Sequence, residues 1–522
     1  MEPLRLTAGP LSMIFEPERG FLRHVSCSGK EIVRGVYAAL RDVSWGTAPV
    51  RLEELTHETT DKGFLVTWRL RSDDRFVWEG TLSGWSEGSV DYEVKGRALR
   101  DFGSRRTGLC LLSPPTMAGQ PVVVHHIDDS IESSMFPESV LPDQPFFAVA
   151  GLEGALDERT QWRVGFRGEV FETEDQRNWS DNSFKTYCRP QAWPQPFEVK
   201  AGDEIVHGVR IFLLPPTGEA TCPPEETGGY LWDRMGTVPK IGTMAYPDEP
   251  LSNEDAELLE RMGLAFIGVE AGEQPQMEKG FALAKRIGVA IRLFIRDGWP
   301  LHALAWLQTP EKSLVEAVVL ANVGVSDVDD TQIQQIRDAF PGVPIILASP
   351  ANFTELNRNR PDPEGVDGLG FGANPQVHAF DDRSILENSD TFWRLVMDAR
   401  QIGGGKPVHV GPVTFGNPHR QPHPDPRLGG PVGAAYTASV VMHAAEAEAA
   451  SVTLYASHGP RGILQDGLRE VVQGLCEIQG RVIEIARTPR PLERQAFRMG
   501  DRIVEIDTES GGVSGLRPMP PS

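Results

Sequence analysis

The sequence predicts a multidomain protein in which an N-terminal antiparallel β-sandwich precedes a (β/α)8 TIM-type barrel and a short C-terminal β segment. Its 522 residues exceed what one hydrophobic core organises, so two or three domains are expected. Short alternating apolar runs up to about residue 215 are typical of an antiparallel sandwich. From Lys240 onward, apolar runs alternate with amphipathic segments, which is the pattern of a parallel barrel.

The N-terminal part predicts a sandwich domain over residues 1–225. Gly, Pro, Asp and Ser interrupt its apolar runs every ten or so residues, as turns between short strands do. The stretch 215–229 is rich in Pro and Gly and poor in apolar residues, so we interpret it as a linker. The strand candidates are "GFLVTWRLRS", "RFVWEGTLSG", "SVDYEVKGRAL", "TGLCLLSPP" and "EIVHGVRIFLLP".

The second part predicts a barrel domain over residues 235–490, with a doubly wound sheet as the alternative. The eight strand candidates are "KIGTMAYP", "LAFIGVEA", "AIRLFIR", "EAVVLANV", "VPIILASP", "GLGFGAN", "PVHVGPVTFG" and "SVTLYASHG". Helical spacing of apolar residues marks "NEDAELLERMG", "QMEKGFALAKRIG", "TQIQQIRDAF" and "TFWRLVMDARQIG". The tail 491–522 contains the strand candidate "AFRMGDRIVEIDT", which we expect to return to the sandwich.

The composition limits the possible partners. With 51 basic and 73 acidic residues, the net charge of -22 argues against nucleic acid or an anionic membrane as a partner. No apolar run approaches the roughly 18–20 residues of a membrane span. Five scattered cysteines without a CxxC pair favour a reducing, cytoplasmic location. A small, weakly charged ligand fits best, and neither a cofactor nor a metal is predicted.

Three short motifs have simple structural interpretations. "GWSEG" at 84–88 matches the serine hydrolase pattern, but strands on both sides predict a hairpin turn. "GLGFG" lacks the helix that a dinucleotide site needs. The histidines of "NPHRQPHPDPR" have no rigid ligand spacing, which favours a surface loop.

Polar residues that follow the barrel strands are the site candidates, because chemistry in such barrels lies at the carboxyl ends of the strands. Asn374, Gln376 and His378 would share one face of an extended chain. A loop that caps its own turns is the alternative. The other candidates at strand ends are Glu270, Asp381, Asn417 and His458.

Five segments together resemble the D-apionate lactonase family, whose members open a sugar-acid lactone in apiose breakdown. They are "FETEDQRNWSDNSFKTYCRP" (171–190), "ANFTELNRNRP", "NPQVHAFDD", "PVTFGNP" and "GPRGI". The resemblance implies a hydrolase of the lactone ester of a small branched sugar acid. The strand ends at 245–247, 268–270 and 455–457 depart from the family pattern, so the substrate can differ.

The resemblance also suggests why residues 171–190 are so polar. We expect this stretch to leave the sandwich and reach the barrel mouth, where Trp179 or Tyr187 would stack on a sugar ring. An ion-pair network between domains is the alternative. The remaining candidates in this stretch are Glu174, Asp175, Arg177 and Lys185.

Lactone opening needs an activated water, an oxyanion donor and help for the leaving alkoxide. We predict Glu270 or Glu174 as the base. Arg177, Lys185 or His378 would stabilise the oxyanion, and Asn374, Gln376 and Asp381 would position hydroxyls. A metal-activated water, a two-carboxylate glycoside hydrolase and a non-catalytic sugar-acid binder are the alternatives.

Overall fold

The computed structural model describes residues 1–214, 229–246, 248–296, 299–322, 330–416, 423–488 and 492–516. The chain forms two compact units. Unit 1 comprises Met1–Gln176 and Ser183–Thr227, and unit 2 comprises Arg177–Asn182 and Gly228–Ser522. Apart from Gly229, the predicted linker lies outside the described residues.

Unit 1 is built from antiparallel strands. They are β1 (Leu4–Ala8), β2 (Leu11–Glu16), β3 (Phe21–Cys27), β4 (Lys30–Arg41), β5 (Arg51–Thr60), β6 (Gly63–Ser72), β7 (Phe76–Trp85), β8 (Ser89–Ala98), β9 (Phe102–Ser104), β10 (Arg106–Ser113), β11 (Pro121–His126), β12 (Ile131–Met135), β13 (Phe146–Ala155), β14 (Gln161–Arg167), β15 (Phe171–Asp175), β16 (Phe184–Cys188), β17 (Phe197–Val199) and β18 (Glu204–Leu214).

Sixteen of these strands form one sheet, in the order β1-β2-β3-β4-β10-β16-β15-β13-β14-β18-β8-β7-β6-β5, with β11 and β12 joined beside β13. The two ends of this sheet pack face to face. The rings of Phe15 on β2 and Trp68 on β6 lie 4.6 Å apart, and the Tyr92 hydroxyl on β8 donates to the Gly20 carbonyl at 2.6 Å. The result is the predicted sandwich, and "GWSEG" forms the hairpin between β7 and β8.

The alternation of residues explains why these segments are strands. In β6, the side chains of Phe64, Val66, Trp68 and Leu70 are buried, whereas the residues between them are exposed or half-buried. This period of two is what a sheet with one core face requires.

Unit 2 contains a closed barrel of eight parallel strands. They are β20 (Lys240–Met244), β21 (Phe266–Glu270), β22 (Ala290–Arg296), β23 (Val315–Ala321), β24 (Ile345–Ser349), β25 (Gly368–Ala373), β26 (Val408–Val413) and β27 (Ser451–Ala456). All eight predicted strands are present, and β20 pairs with both β21 and β27, so the sheet is closed and not doubly wound.

The helices of unit 2 are α1 (Asn253–Arg261), α2 (Gln274–Ile287), α3 (Thr309–Lys312), α4 (Asp330–Ala339), α5 (Phe353–Asn359), α6 (Asp382–Asn388), α7 (Phe392–Ile402), α8 (Pro431–Glu446) and α9 (Asp466–Glu477). Local signals fix several ends. Ser252 caps α1 by accepting from the Asp255 amide, and Gly288 ends α2 at a φ of 73° that glycine adopts without strain. Helix α8 is buried along nearly its whole length, which explains its apolar composition.

The C-terminal strands belong to unit 2. Strand β19 (Leu231–Thr237) pairs with β28 (Val482–Arg487), which continues to β29 (Arg494–Met499), β30 (Arg502–Asp507) and β31 (Val513–Ser514). We expected one strand that returned to the sandwich, but the tail folds as a hairpin onto β28. The reason is that β19 precedes the first barrel strand and β28 follows the last barrel helix, so the two ends of the barrel chain pair with each other.

Candidate functional site

Six residues of the polar stretch belong to unit 2. A 3-10 helix over Gln176–Trp179 crosses from one unit to the other, and Ser180 then turns the chain at a φ of 64°. The segment Arg177–Asn182, here called the inserted segment, contacts residues that follow β24 and β25. These contacts lie on the side where the strands of the barrel end.

The central contact of the inserted segment joins a carboxylate to an imidazole. His378 Nδ1 and Asp181 Oδ2 are 2.5 Å apart. The side chain of Asp181 is 7% exposed and that of His378 is 22% exposed, so water screens this pair weakly. An aspartate at Nδ1 favours the tautomer that carries its proton there, which leaves the lone pair of the neutral ring on Nε2.

Asn388, at the end of α6, fixes the position of Asp181. Its Nδ2 donates to Asp181 Oδ1 at 3.3 Å and to the Pro375 carbonyl at 3.0 Å. Its Oδ1 accepts from the backbone N–H of Asn182 at 3.0 Å. Asn182 in turn donates to the Glu387 carbonyl at 3.1 Å. One buried side chain therefore holds the backbone and the carboxylate of the inserted segment.

Helix α5 holds the first half of the inserted segment. Asn357 Nδ2 donates to Asn178 Oδ1 at 2.9 Å, and Arg360 Nη2 donates to Asn357 Oδ1 at 3.1 Å. The guanidinium of Arg358 lies 5.6 Å from the Trp179 ring, a cation–π distance.

Trp179 lies beside the imidazole. Its ring packs edge-on against the ring of His378 with 6.0 Å between centroids. Trp179 is half-buried, so part of its ring is accessible. The structure thus brings the predicted stacking ring of Trp179 and the predicted polar residue His378 together at one place.

The amides of Asn374 and Gln376 are engaged within the barrel. Asn374 Nδ2 donates to Thr414 Oγ1 and to the Gly416 carbonyl, each at 2.9 Å. Gln376 Oε1 accepts from the Gly416 amide at 2.6 Å, and its Nε2 donates to Asp425 Oδ2 at 2.7 Å. These bonds join the loop that carries His378 to the loop after β26. The two side-chain amides therefore stabilise the loop on which His378 lies.

Asp425 completes this arrangement. Burial would raise its pKa, but hydrogen bonds from Arg427 and Gln376 outweigh burial and hold the pKa of Asp425 below its usual range. Arg427 also binds Asp382 at 2.6 Å. Both loops are therefore held by an ionised carboxylate at neutral pH.

The structure describes three of the four other candidates that were predicted at strand ends. Asp381 caps α6, with Oδ1 accepting from the Ser384 amide at 3.0 Å. His458 is buried, with Nδ1 at 2.8 Å from Ser457 Oγ and Nε2 at 3.1 Å from the Glu249 carbonyl. Glu270 forms an exposed ion pair with Arg296. Asn417 lies outside the described residues.

The other candidates of the polar stretch form contacts within unit 1. Lys185 Nζ and Glu174 Oε1 are 2.5 Å apart, and the Tyr187 hydroxyl donates to Glu172 Oε1 at 2.6 Å. Asp175 accepts from the Leu141 amide at 3.2 Å. Arg177, by contrast, belongs to the inserted segment and is buried there.

Two acidic residues carry no sequence signal that marks them as site residues. Nothing in the spacing pairs Asp181 with a residue almost two hundred positions away. Glu355 on α5 is half-buried next to Ser349, and burial raises its pKa. Its sequence signal is the capping box Asn352-x-x-Glu355, which predicts a helix start and gives no hint of chemistry.

The described residues show neither a metal cluster nor a membrane helix. No three His, Cys, Asp or Glu residues among them are grouped so that they could hold a metal ion. No helix in the described ranges combines the length and the apolar character that crossing a bilayer takes.

Two models of one protein family match the sequence. The "D-apionate lactonase, N-terminal domain" matches residues 1–215, and the "D-apionate lactonase, TIM barrel domain" matches residues 328–487. The chain belongs to the D-apionate lactonase family. This membership confirms the resemblance described above and the prediction that the chain is an enzyme of the hydrolase class.

An individual relative agrees with this assignment. A D-apionate lactonase from Brucella anthropi is 28% identical over 523 residues, which cover 88% of this chain and 83% of that protein. Members of the D-apionate lactonase family can thus differ at nearly three quarters of their aligned positions.

Solved structures are much less similar. A GH2 β-galacturonidase from Eisenbergiella tayi bound to galacturonate aligns with a TM-score of 0.33 and 11% identity, covering 86% of this chain and 99% of that chain. An endo-β1,6-glucanase aligns with a TM-score of 0.34 and 10% identity, covering 52% of this chain and 85% of that chain.

Proposed function

We propose that this chain opens the lactone ester of a small sugar acid, such as a D-apionolactone-like compound, with His378 as the general base. The observation that carries the proposal is the 2.5 Å contact between Asp181 and His378 at the end of the barrel. A carboxylate that orients an imidazole is a recurrent device for activating a nucleophile. The family membership supplies the substrate class.

The reaction is balanced with one water. His378 Nε2 takes a proton from water as the water oxygen bonds to the lactone carbonyl carbon. The negative charge of Asp181 stabilises the imidazolium that forms. Collapse of the tetrahedral intermediate breaks the ring C–O bond, and the imidazolium returns its proton to the leaving alkoxide. The product is an open-chain hydroxy acid.

Neighbouring groups would bind the substrate. Trp179 offers an aromatic ring beside His378, where the apolar face of a sugar ring could stack. Arg177, in the same inserted segment, remains our candidate for the oxyanion donor. Glu355 is a further candidate for a proton donor: its carboxyl lies 3.5 Å from Ser349 Oγ at the end of β24, and burial raises its pKa.

Glu270 and Glu174 remain alternative bases. Each has a cation beside it, Arg296 and Lys185 respectively. Asp381 and His458 are retained as substrate-binding candidates of lower rank, since their side chains already bond to the protein.

The test is a pH-stat titration of acid release from a panel of aldonolactones by the purified chain. We expect acid release from at least one branched or four-carbon lactone. His378→Ala should lower kcat by at least about a hundredfold. His302→Ala is the matched control, because His302 is an exposed histidine of unit 2 away from these contacts.

Two results would contradict the assignment. A fully folded His378→Ala chain with kcat close to that of the unchanged chain removes His378 from the role of base. Loss of at least about a hundredfold in Glu270→Gln or Glu174→Gln, with His378→Ala unaffected, transfers the role to that carboxylate.

We also propose that the enzyme works in the cytoplasm, in a route that breaks down apiose or a related sugar. Three buried cysteines, Cys110, Cys188 and Cys476, are free thiols, whereas Cys27 takes part in a disulfide. Detection of the chain in the cytosolic fraction of fractionated cells tests the location. Recovery of the chain from an oxidising compartment, with Cys27 disulfide-bonded, would contradict it.

A further inference from the structure

Unit 1 places charged side chains on the face of its sheet opposite to the hydrophobic core. In β10, Leu109 and Leu111 belong to the core, so the alternation directs Arg106 and Cys110 to the other face. Strands β15 and β16 pair beside β10 and add three further polar residues to that face. They are Glu172, Glu174 and Lys185.

Arg106 is the unusual member of this group. It is only 5% exposed, and its Nε has no hydrogen-bond partner among the described residues. Within the same described ranges, no carboxylate forms an ion pair with it. Its guanidinium lies 3.6 Å from the centroid of the Tyr187 ring and 5.6 Å from that of Trp45. Aromatic stacking fixes the plane of the guanidinium but cannot accept the N–H groups at its edge.

The nearby carboxylates are already engaged. Glu174 binds Lys185 at 2.5 Å. Glu172 accepts from the Tyr187 hydroxyl and from the backbone N–H of Gln191, each at 2.6 Å. Burial lowers the pKa of Lys185, Glu174 opposes that shift, and the positive charge of Arg106 adds to it. The group therefore contains two cations, Arg106 and Lys185, and two carboxylates, Glu172 and Glu174. Among the described residues, however, neither carboxylate accepts a hydrogen bond from the Nε of Arg106.

A buried guanidinium without an acceptor is costly, and an anionic ligand would relieve that cost. The planar N–H edge of arginine matches a carboxylate, which can accept two parallel hydrogen bonds. We propose that Arg106 is the anchor of a carboxylate-binding site in unit 1, which takes the ionised form of a small polyhydroxy acid. The choice of a polyhydroxy acid rests on the proposed function, whereas the carboxylate class rests on Arg106 alone.

The test measures binding of sodium gluconate to the full chain by isothermal titration calorimetry. Its neutral analogue glucitol, which has hydroxyls but lacks the carboxylate, is the matched ligand. We expect gluconate to bind and glucitol to bind at least about tenfold more weakly. Arg106→Gln should weaken gluconate binding at least about tenfold, and Arg106→Lys, which keeps the charge but loses the planar fork, by an intermediate factor.

Arg105→Gln is the matched control variant. Arg105 precedes Arg106 in the chain, but it is half-exposed and already donates to the Val43 carbonyl at 2.7 Å. We expect its gluconate affinity to equal that of the unchanged chain. Equal loss in both variants would mean general charge attraction and would overturn the site.

Two further outcomes overturn the proposal. The unchanged chain can fail to bind gluconate at tens of millimolar, a result that does not depend on whether Arg106→Gln folds. Gluconate and glucitol can also bind equally well. His378→Ala separates this proposal from the proposed function, because it should lose lactone turnover and keep gluconate binding.

Discussion

Asp181→Asn is the most direct test of the proposed reaction. The substitution keeps the shape of the side chain but removes the negative charge 2.5 Å from His378 Nδ1. With both side chains mostly buried, an effective dielectric constant of about 20 and a charge separation of about 4 Å give an attraction of about 4 kcal/mol for the imidazolium. Each 1.36 kcal/mol corresponds to a factor of about ten in rate, so losing all of it would cost almost a thousandfold.

The asparagine amide can still accept a hydrogen bond from Nδ1, so we expect a fall in kcat of at least about a hundredfold. The change in KM should stay within about threefold, because Asp181 acts through His378 as a positioning residue. The assay is the pH-stat titration with the best aldonolactone, together with a thermal melt to verify folding.

Asp338→Asn is the control, since Asp338 is exposed on α4, where its Oδ1 accepts from Gln334 Nε2 at 2.9 Å. A folded Asp181→Asn chain whose kcat lies within threefold of the control would refute the reasoning.

Three other predictions concern stability. Burial lowers the pKa of His207 from 6.5 to about 4, so between these pH values the unfolded chain binds more protons than the folded chain. The free energy of unfolding should therefore fall by up to about 3 kcal/mol as the pH drops from 6.5 to 4. Urea unfolding of His207→Gln should show a flatter pH dependence, and an unchanged slope would contradict this. Asn357→Ala removes the hydrogen bond to the inserted segment, so it should lower the free energy of unfolding in urea by about 1–3 kcal/mol and also lower kcat. In the control Asn359→Ala, at an exposed position, the free energy of unfolding should change by less than about 0.5 kcal/mol, and equal effects of the two variants would contradict the role of Asn357. Tyr92→Phe leaves the Gly20 carbonyl without its buried donor and should cost about 1–3 kcal/mol, so a neutral result would contradict the importance of that bond.

Most of the fold could be predicted from the sequence because its signals are local. Alternation in segments such as β6 and mostly apolar runs such as Ile345–Ser349 each determine a strand without reference to the rest of the chain. The fate of the C-terminal tail could not be predicted in this way. Pairing of β19 with β28 joins residues about 250 positions apart, and alternation is the same whichever sheet a strand enters.

The candidate site shows the same division. His378 and Trp179 are predicted site residues because chemistry is expected at strand ends and because a polar stretch in a sandwich is conspicuous, and the structure brings their rings together. Asp181 carries no such signal, although it stands two residues from Trp179, since its contact His378 is nearly two hundred positions away. Asn374 and Gln376 were recognised, but their bonds to Gly416 assign them to the loop framework. The sequence pattern identifies polar residues, whereas only the structure shows which of their donor and acceptor atoms already form hydrogen bonds within the protein.

The inserted segment has a consequence for how this enzyme can be inherited. A gene fragment that starts at codon 228 would encode all eight barrel strands and His378, yet it would lack Asp181. Recombination at the apparent boundary would therefore deliver a barrel whose imidazole has lost its carboxylate. Under the mechanism proposed here, neither half of the gene is a transferable module, and the two must be kept as one reading frame for selection to retain the activity.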